Sequence, residues 1–273
     1  MVFKSSFSSL SRIERFHIQL VRQTLKIGPL DTTLRFAQRT LGARWINWAT
    51  CHLRHVHGLE RLPALNSSQS FLCVSNHRSF FDLYVITSLL VRHGLRHRLL
   101  FPVRSTFFYD HPLGLVINGT MSFFAMYPPF FRDKKRALLN HQNLTELTSL
   151  LRRGNTFVGI HPEGTRNTGE DPYTLLPAQN GTGRLIYEAR VPVLPVFING
   201  LTNHFIKQIY SNWRHQGEHV IIVFGEPIAL SSLLDLPPSF SLYKQITNKT
   251  LIAIHQLGQE EKKLRSFITK TQK

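Results

Sequence analysis

The stretch FLCVSNHRSFFD, residues 71–82, decides the fold. Its apolar start, residues 71–74, is typical of a buried strand, and a helix is predicted over residues 80–91. A His at such a junction, with a carboxylate five residues later, has the makings of a general base. Five residues along a regular helix would put the two side chains on different faces. The pair therefore forms only if His77 lies on the turn before the helix and Asp82 on its first turns.

A structural alternative exists for the same residues. Ser79 and Asp82 have the spacing of a capping box in its acidic variant, in which both would only start the helix. On this stretch alone the capping interpretation is favoured over catalysis. A catalytic interpretation gains weight from a second stretch, GIHPEGTR at residues 159–166.

The second stretch follows a predicted strand at residues 156–160 and has the residue types of an anion-binding turn. Gly164 permits a tight turn and a close approach of substrate to the backbone. Arg166 can hold a phosphate through two hydrogen bonds. Glu163 can accept hydrogen bonds from a polyol or hold Arg166 in place. The alternative is a surface turn with one ion pair, which the combination with His77 disfavours.

Composition points to an anionic partner. The chain has 273 residues and a formal charge of +17, from 33 Lys and Arg against 16 Asp and Glu. Nucleic acid and an anionic membrane surface are the two broad options. Twenty Phe residues favour lipid, so nucleic acid is the less favoured partner.

Compartment follows from what the sequence lacks. The sequence has two cysteines, Cys51 and Cys73, and their spacing matches neither a disulfide framework nor a zinc site. This favours a reducing compartment. We expect residues 1–10 not to be a signal peptide, since charges follow at Arg12, Glu14 and Arg15. The uncharged residues 113–131 contain Gly and Pro, so we expect them to be interior or interfacial, not membrane-spanning.

Strand and helix patterns alternate through the middle of the chain. We predict strands at residues 71–75, 99–103, 121–126, 156–160, 193–198 and 220–224, and helices at 80–91, 134–153 and 183–189. This alternation predicts an α/β fold with a central, mostly parallel sheet flanked by helices. The predicted division is an N-terminal appendage of basic amphipathic helices at residues 1–57, an α/β domain at 58–230, and a basic helical tail at 231–273.

The appendage is predicted to hold two helices separated by Gly28 and Pro29. Basic helices with Trp on the apolar side suit a membrane interface, although the stripe can equally pack on the main domain, and both can hold on different faces. The three histidines at residues 52, 55 and 57 match no common metal spacing, and we predict no metal site.

The motifs together resemble a known family. Asn76, His77 and Asp82 form the pattern Asn-His-x-x-x-x-Asp, and Pro-Glu-Gly-Thr-Arg follows about eighty residues later. A third block, VPVLPV at residues 191–196, also matches. The chain resembles the glycerolipid acyltransferases, typified by 1-acylglycerol-3-phosphate acyltransferase, over roughly residues 56–228.

The resemblance implies an enzyme that moves a fatty acyl group from acyl-coenzyme A or acyl carrier protein to the free hydroxyl of a lysophospholipid. It implies no cofactor, and a peripheral or monotopic place on the cytoplasmic face of a membrane. His77 would be the base and Asp82 its partner. The glycerophosphate would be bound by Glu163, Gly164, Thr165 and Arg166, with a further arginine at Arg132 or Arg136. Apart from the resemblance, the backbone N–H groups near the predicted helix start at Ser79 are candidates to hold the oxyanion.

Two departures from the family pattern keep alternatives open. Two prolines intervene before Arg132, and His161 stands where Phe is typical. His161 is either a packed side chain, the favoured interpretation, or a second titrating group. The same chemistry on another lysolipid acceptor is one alternative function. The other is a non-catalytic protein that binds membranes or nucleic acid, whereas a serine hydrolase is disfavoured because Gly-x-Ser-x-Gly is absent.

Overall fold

A seven-stranded sheet forms the centre of the structure, a computed structural model that describes residues 9–271. The strands are β1 (Arg54–His57), β2 (Phe71–Ser75), β3 (Arg98–Arg104), β4 (Met126–Phe130), β5 (Thr156–Ile160), β6 (Val193–Asn199) and β7 (Val220–Phe224). Their order is β1-β7-β6-β2-β5-β3-β4, and only the β6–β7 pairing is antiparallel. The predicted mostly parallel sheet is confirmed.

Helices cover both faces of this sheet. They are α1 (Arg12–Thr24), α2 (Pro29–Ala37), α3 (Ala43–Thr50), α4 (Asp82–Arg92), α5 (Pro112–Met121), α6 (Ala137–Arg153), α7 (Asn180–Ala189), α8 (Phe205–Arg214) and α9 (Phe240–Thr271). A π-helical turn, Gln38–Gly42, joins α2 to α3, and shorter helical turns lie at Leu59–Arg61, Ser105–Phe108, Lys134–Arg136 and Ser231–Leu234. The α/β fold is confirmed.

Alternation along the strands makes two cores. In β2, Leu72 and Val74 point into a cluster built with α1, α6, α7 and α9. The neighbouring Phe71 and Cys73 point into a second cluster built with α3 and α4. Every residue of β2 is buried, as expected for a central parallel strand whose two faces are both covered.

Three predicted strands match the structure residue for residue: β2, β5 and β7. The strand predicted at residues 121–126 is wrong, because α5 ends at Met121 and β4 begins only at Met126. Pro128 and Pro129 then lie inside β4. Proline is tolerated there because β4 is an edge strand with no neighbour on its outer side among the described residues. Helix α8 and strand β1 were not predicted.

The terminal segments pack on the sheet. Arg54–His57 pairs in parallel with β7, so the sheet includes residues before 58. In α9, Ile246 and Ile254 are buried in the core. The division at residues 57 and 230 stays a prediction, and Lys273 lies outside the described residues.

Within residues 9–271, none of the helices has the length and apolar character that crossing a bilayer requires.

Candidate active site

Two motifs eighty residues apart meet at one edge of the sheet. Strands β2 and β5 are parallel neighbours, with Cys73 opposite Gly159 and Val74 opposite Ile160. Because the carboxyl ends of parallel neighbours lie at the same edge, the loop with His77 is beside the loop with Glu163. The backbone N–H of His77 donates to Oε1 of Glu163 at 2.8 Å.

His77 and Asp82 form the expected pair. Nδ1 of His77 lies 3.3 Å from Oδ2 of Asp82. A carboxylate only accepts, so the ring proton is assigned to Nδ1, which leaves Nε2 with a free lone pair. The same oxygen accepts the backbone N–H groups of Arg78 and Ser79 at 2.8 Å each. Asp82 therefore accepts backbone N–H groups at the helix start and also contacts His77. The capping and catalytic interpretations are thus compatible, and the catalytic one stays a prediction.

Burial sets the charge state of this pair. Burial raises the pKa of Asp82 to about 6, while His161 and the backbone N–H groups of Arg78 and Ser79 oppose that shift. Burial and the positive charge of Arg166 lower the pKa of His77 to about 4. At neutral pH His77 is therefore neutral and Asp82 ionised, which is the state that a general base requires.

Glu163 holds the loop of His77 in place. It is buried, and its second oxygen accepts the backbone N–H of Leu176 at 2.8 Å. The carbonyl of His77 in turn accepts the backbone N–H of Asn167 at 2.8 Å. The peptide of His77 is thus fixed from both sides by the segment after β5. Both oxygens of Glu163 bond backbone, which differs from the predicted contact with Arg166 or a polyol.

His161 packs flat against His77. The ring centroids are 3.8 Å apart and the planes differ by 5°. Burial and the neighbouring His77 lower the pKa of His161 to about 3, so it is neutral. Its Nδ1 lies 3.1 Å from the hydroxyl of Ser75.

Among the described residues, His77, Asp82 and His161 are the group whose ligand atoms could gather around a metal, lying within 4.8 Å of one another. Imidazole lone pairs lie in the ring plane, and two parallel planes 3.8 Å apart do not converge on one ion. The geometry favours stacking.

Arginines surround the turn after β5. Nη2 of Arg132 donates to Oγ1 of Thr165 at 3.2 Å, and Nη1 of Arg166 donates to Oδ1 of Asn203 at 2.7 Å. Arg132 and Arg166 are both exposed. Arg136, in contrast, pairs with the buried Glu14 at 2.6 Å.

Gly164 shapes this turn, with a φ of +66° that strains other residues. A Cβ there would meet the side chain of Gln179 at 2.6 Å. Its N–H donates to the carbonyl of His161 at 2.9 Å, which closes the turn. The tight turn predicted from Gly164 is present.

The backbone N–H groups at the start of α4 are already engaged. Those of Arg78 and Ser79 donate to Asp82, that of Phe80 to Asn203 at 3.0 Å, and that of Phe81 to the hydroxyl of Ser79 at 3.2 Å. The expectation that they hold an oxyanion is therefore wrong for this arrangement. Sequence reasoning also missed Asn203, which lies in a loop without a motif.

The chain is similar to known acyltransferases. The family model described as Acyltransferase matches residues 53–199. Human 1-acyl-sn-glycerol-3-phosphate acyltransferase beta is 26% identical over 186 residues, 66% of this chain and 61% of that protein. The alpha enzyme of Ovis aries is 26% identical over 156 residues, 56% and 47% of the two chains. The chain thus spans less than two thirds of either mammalian relative.

A bacterial relative and a solved structure are also acyltransferases that resemble this chain. The 1-acyl-sn-glycerol-3-phosphate acyltransferase of Haemophilus influenzae is 22% identical over 216 residues, 75% of this chain and 78% of that one. The crystal structure of the 1-acyl-sn-glycerophosphate acyltransferase of Thermotoga maritima matches with a TM-score of 0.52 at 18% identity, covering 89% of each chain, and so shares the fold. With the family model covering more than half of its length, the chain belongs to the acyltransferase family.

Proposed function

We propose that the protein is an O-acyltransferase that works at a membrane surface. The acyl group would pass from an acyl thioester, on coenzyme A or acyl carrier protein, to the free hydroxyl of a lysophospholipid. One observation carries the proposal: a neutral His77 paired with a buried carboxylate lies beside the loop after β5, where two arginines, Arg132 and Arg166, are exposed. The named relatives act on 1-acyl-sn-glycerol-3-phosphate, which is the acceptor we propose.

The chemistry needs one base and no enzyme nucleophile. Nε2 of His77 takes the proton of the acceptor hydroxyl as its oxygen attacks the thioester carbonyl. Asp82 stabilises the imidazolium that forms. When the tetrahedral intermediate collapses, the C–S bond breaks and the thiolate leaves with the proton from His77. The products are the ester and the free thiol, so this route uses no metal or redox cofactor.

The acceptor phosphate is assigned to Arg132 and Arg166. Both are exposed: Arg132 donates to Thr165 in the turn after β5, and Arg166, in the same turn, donates to Asn203 in the loop after β6. Arg132 is chosen over Arg136 because Arg136 already pairs with Glu14 and lies over the ring of Phe131 at 5.2 Å. Gly164 and Thr165 would let the glycerol approach the backbone. Glu163 is proposed to position His77 without touching the acceptor.

Membrane contact is part of the proposal, at the cytoplasmic face and as a peripheral or monotopic protein. In α1, Ile18 and Val21 pack into the core, whereas Ile13 and Phe16 near its start are exposed. Further exposed apolar side chains follow in the N-terminal helices and their junction, namely Ile27, Leu30, Phe36, Leu41 and Trp48. Apolar side chains in this basic segment suit the surface of an anionic bilayer.

The test is release of free thiol from palmitoyl-coenzyme A by the purified protein, with and without lysophosphatidate. Release that requires the acceptor, with phosphatidate as product, is expected. Release without acceptor would point to a thioesterase and contradict the proposal. If acyl carrier protein donors and other lysolipids also gave no product, the non-catalytic binding alternative would replace it.

A further inference from the structure

Helix α8 is built with its polar side inward. Gln208 and Asn212, four residues apart on one face, are buried against the protein. Ile206, Tyr210 and Trp213 are exposed, and Ile206 is 82% exposed. A surface helix that packs on its own protein normally buries its apolar face instead. The reversal indicates that the apolar face of α8 meets something other than the rest of this chain.

Hydrogen bonds hold the helix in this rotation. Oδ1 of Asn212 accepts the backbone N–H of His52 at 2.8 Å, and Nδ2 donates to the carbonyl of Trp48 at 3.1 Å. Oε1 of Gln208 accepts the backbone N–H of Thr202 at 3.1 Å. Turning the apolar side inward would break these bonds and leave buried polar groups unpaired, which is costly. The outward apolar face is thus fixed by the fold.

The exposed side of α8 continues onto α3. The ring of Trp213 lies 5.6 Å from the ring of Trp48, and the two helices pack together. The α3–α8 face is defined here by Leu41 in the π-helical turn before α3, Trp48 in α3, and Ile206, Tyr210 and Trp213 in α8, all exposed. Contiguous apolar patches of this kind mark interaction surfaces.

Charge around this face identifies its partner. Residues 32–59 and 199–217 contain no Asp or Glu. Arg44, Lys207 and Arg214 are exposed, and the guanidinium of Arg214 lies 4.9 Å from the ring centroid of Tyr210. A second copy of the chain would bring like charges together here. Aromatic side chains in segments that hold cations and no acidic residue instead match the interface of a bilayer with anionic headgroups.

We propose that the α3–α8 face contacts the surface of an anionic phospholipid bilayer, which makes α8 a membrane-contacting helix in addition to the N-terminal ones. Its location adds a functional consequence. Asn203, two residues before α8, accepts a hydrogen bond from Arg166. If the acceptor site is as proposed, lipid at this face lies next to the phosphate-binding turn.

The first test is co-sedimentation of the full chain with vesicles of equal parts phosphatidylcholine and phosphatidylglycerol. Ile206→Glu is compared with Ile252→Glu, a matched change at a 59% exposed isoleucine on α9. Ile206→Glu should weaken binding about tenfold, as expected for losing the burial of one large apolar side chain. Ile252→Glu should bind like the wild type.

The second test asks whether α8 itself meets the acyl chains. The three tryptophans are Trp45, Trp48 and Trp213. Vesicles with brominated phosphatidylcholine should quench the wild-type fluorescence, and Trp213→Phe should lose a large share of that quenching. Trp45→Phe should keep it, because Trp45 packs against Tyr84 and is not exposed.

Neither test uses an acyl donor, so each stands whether or not the protein transfers acyl groups. Equal binding by the Ile206→Glu and Ile252→Glu variants, or quenching unchanged in Trp213→Phe, would overturn the proposal. A wild-type dimer in solution that Ile206→Glu converts to a monomer would also overturn it, because the face would then join two copies of the chain.

Discussion

Two pairs of titratable side chains lie at opposite edges of the same sheet. His77 and Asp82 follow the carboxyl end of β2, and Arg98 opens β3 at the amino edge. Nε of Arg98 lies 3.8 Å from Oδ1 of Asp31, in α2. Burial shifts a pKa in each pair: it raises the pKa of Asp82 to about 6 and lowers that of Arg98 to about 10.

The pairs differ in what they connect. The side chain of His77 is 22% exposed, whereas those of Arg98 and Asp31 are each 1% exposed. Arg98 also donates to Thr24 of α1 at 3.2 Å. The first pair leaves His77 partly open to solvent, as its proposed role as a base requires, and the second pair fastens the N-terminal helices to the sheet. Burial thus shifts the pKa of a group in each pair, at the proposed reaction site on one edge and at a helix-docking contact on the other.

Removing the base should have the largest effect. His77→Ala should lower kcat/KM for acyl transfer by roughly a thousandfold or more, because general-base catalysis is lost. The far-UV circular dichroism spectrum and the unfolding midpoint should stay close to wild type. His141→Ala, at an exposed histidine on α6, is the control and should keep its activity. Near-normal turnover in His77→Ala would remove the proposed mechanism.

At the other edge the main loss should be in stability. Asp31→Ala leaves Arg98 buried without its carboxylate and should cost about 3 to 5 kcal/mol of unfolding free energy in urea. The double variant Asp31→Leu, Arg98→Met removes both charges and should recover much of that loss. If the two variants were equally destabilised, burial of an uncompensated charge would not be the cause.

Substituting Arg166 and Arg136 separately should distinguish an arginine that binds the acceptor from one with a structural role. Arg166→Ala should raise the acceptor KM about ten- to a hundredfold through the loss of a charge-assisted hydrogen bond, and change the donor KM little. Arg136→Ala should leave the acceptor KM near wild type, because that guanidinium pairs with Glu14. Steady-state kinetics with each substrate varied would measure both, and equal rises in the two KM values for Arg166→Ala would contradict the phosphate assignment.

The smallest effect concerns stability against pH. The pKa of Asp82 is raised from 3.8 to about 6 in the fold, so the folded chain holds this proton more tightly than the unfolded chain. The tighter binding of this proton stabilises the folded state fully below pH 3.8, and this stabilisation is lost as pH rises through about 6. Asp82→Asn avoids the loss and should be more stable above pH 7, by about 1 to 2 kcal/mol.

This advantage should shrink as pH falls toward 5, and urea unfolding at several pH values measures it. The same variant should lose activity, since His77 then lacks its carboxylate partner. A stability difference independent of pH would show that Asp82 titration is not its cause.

The sequence by itself specified the central strands and the two motif loops. Strands β2 and β5 are apolar runs bounded by polar residues, and these local signals suffice for buried strands. The spacing of His77 and Asp82 likewise predicted their contact, because the two residues are only five apart and a turn before a helix brings them together. The prediction of a strand at residues 121–126 was wrong because the uncharged residues 113–131, which include Pro128 and Pro129, show neither a clear helical nor a clear strand periodicity.

Only the tertiary structure decided which distant groups meet. Parallel pairing of β2 with β5 places Glu163 under the backbone of His77 and His161 on its ring. The loop after β6 delivers Asn203 to Arg166. The outward apolar face of α8 was also not predictable, because periodicity identifies an apolar stripe but not whether protein or another surface covers it. Strand register and helix rotation arise from contacts between segments far apart in the chain, which no local pattern encodes.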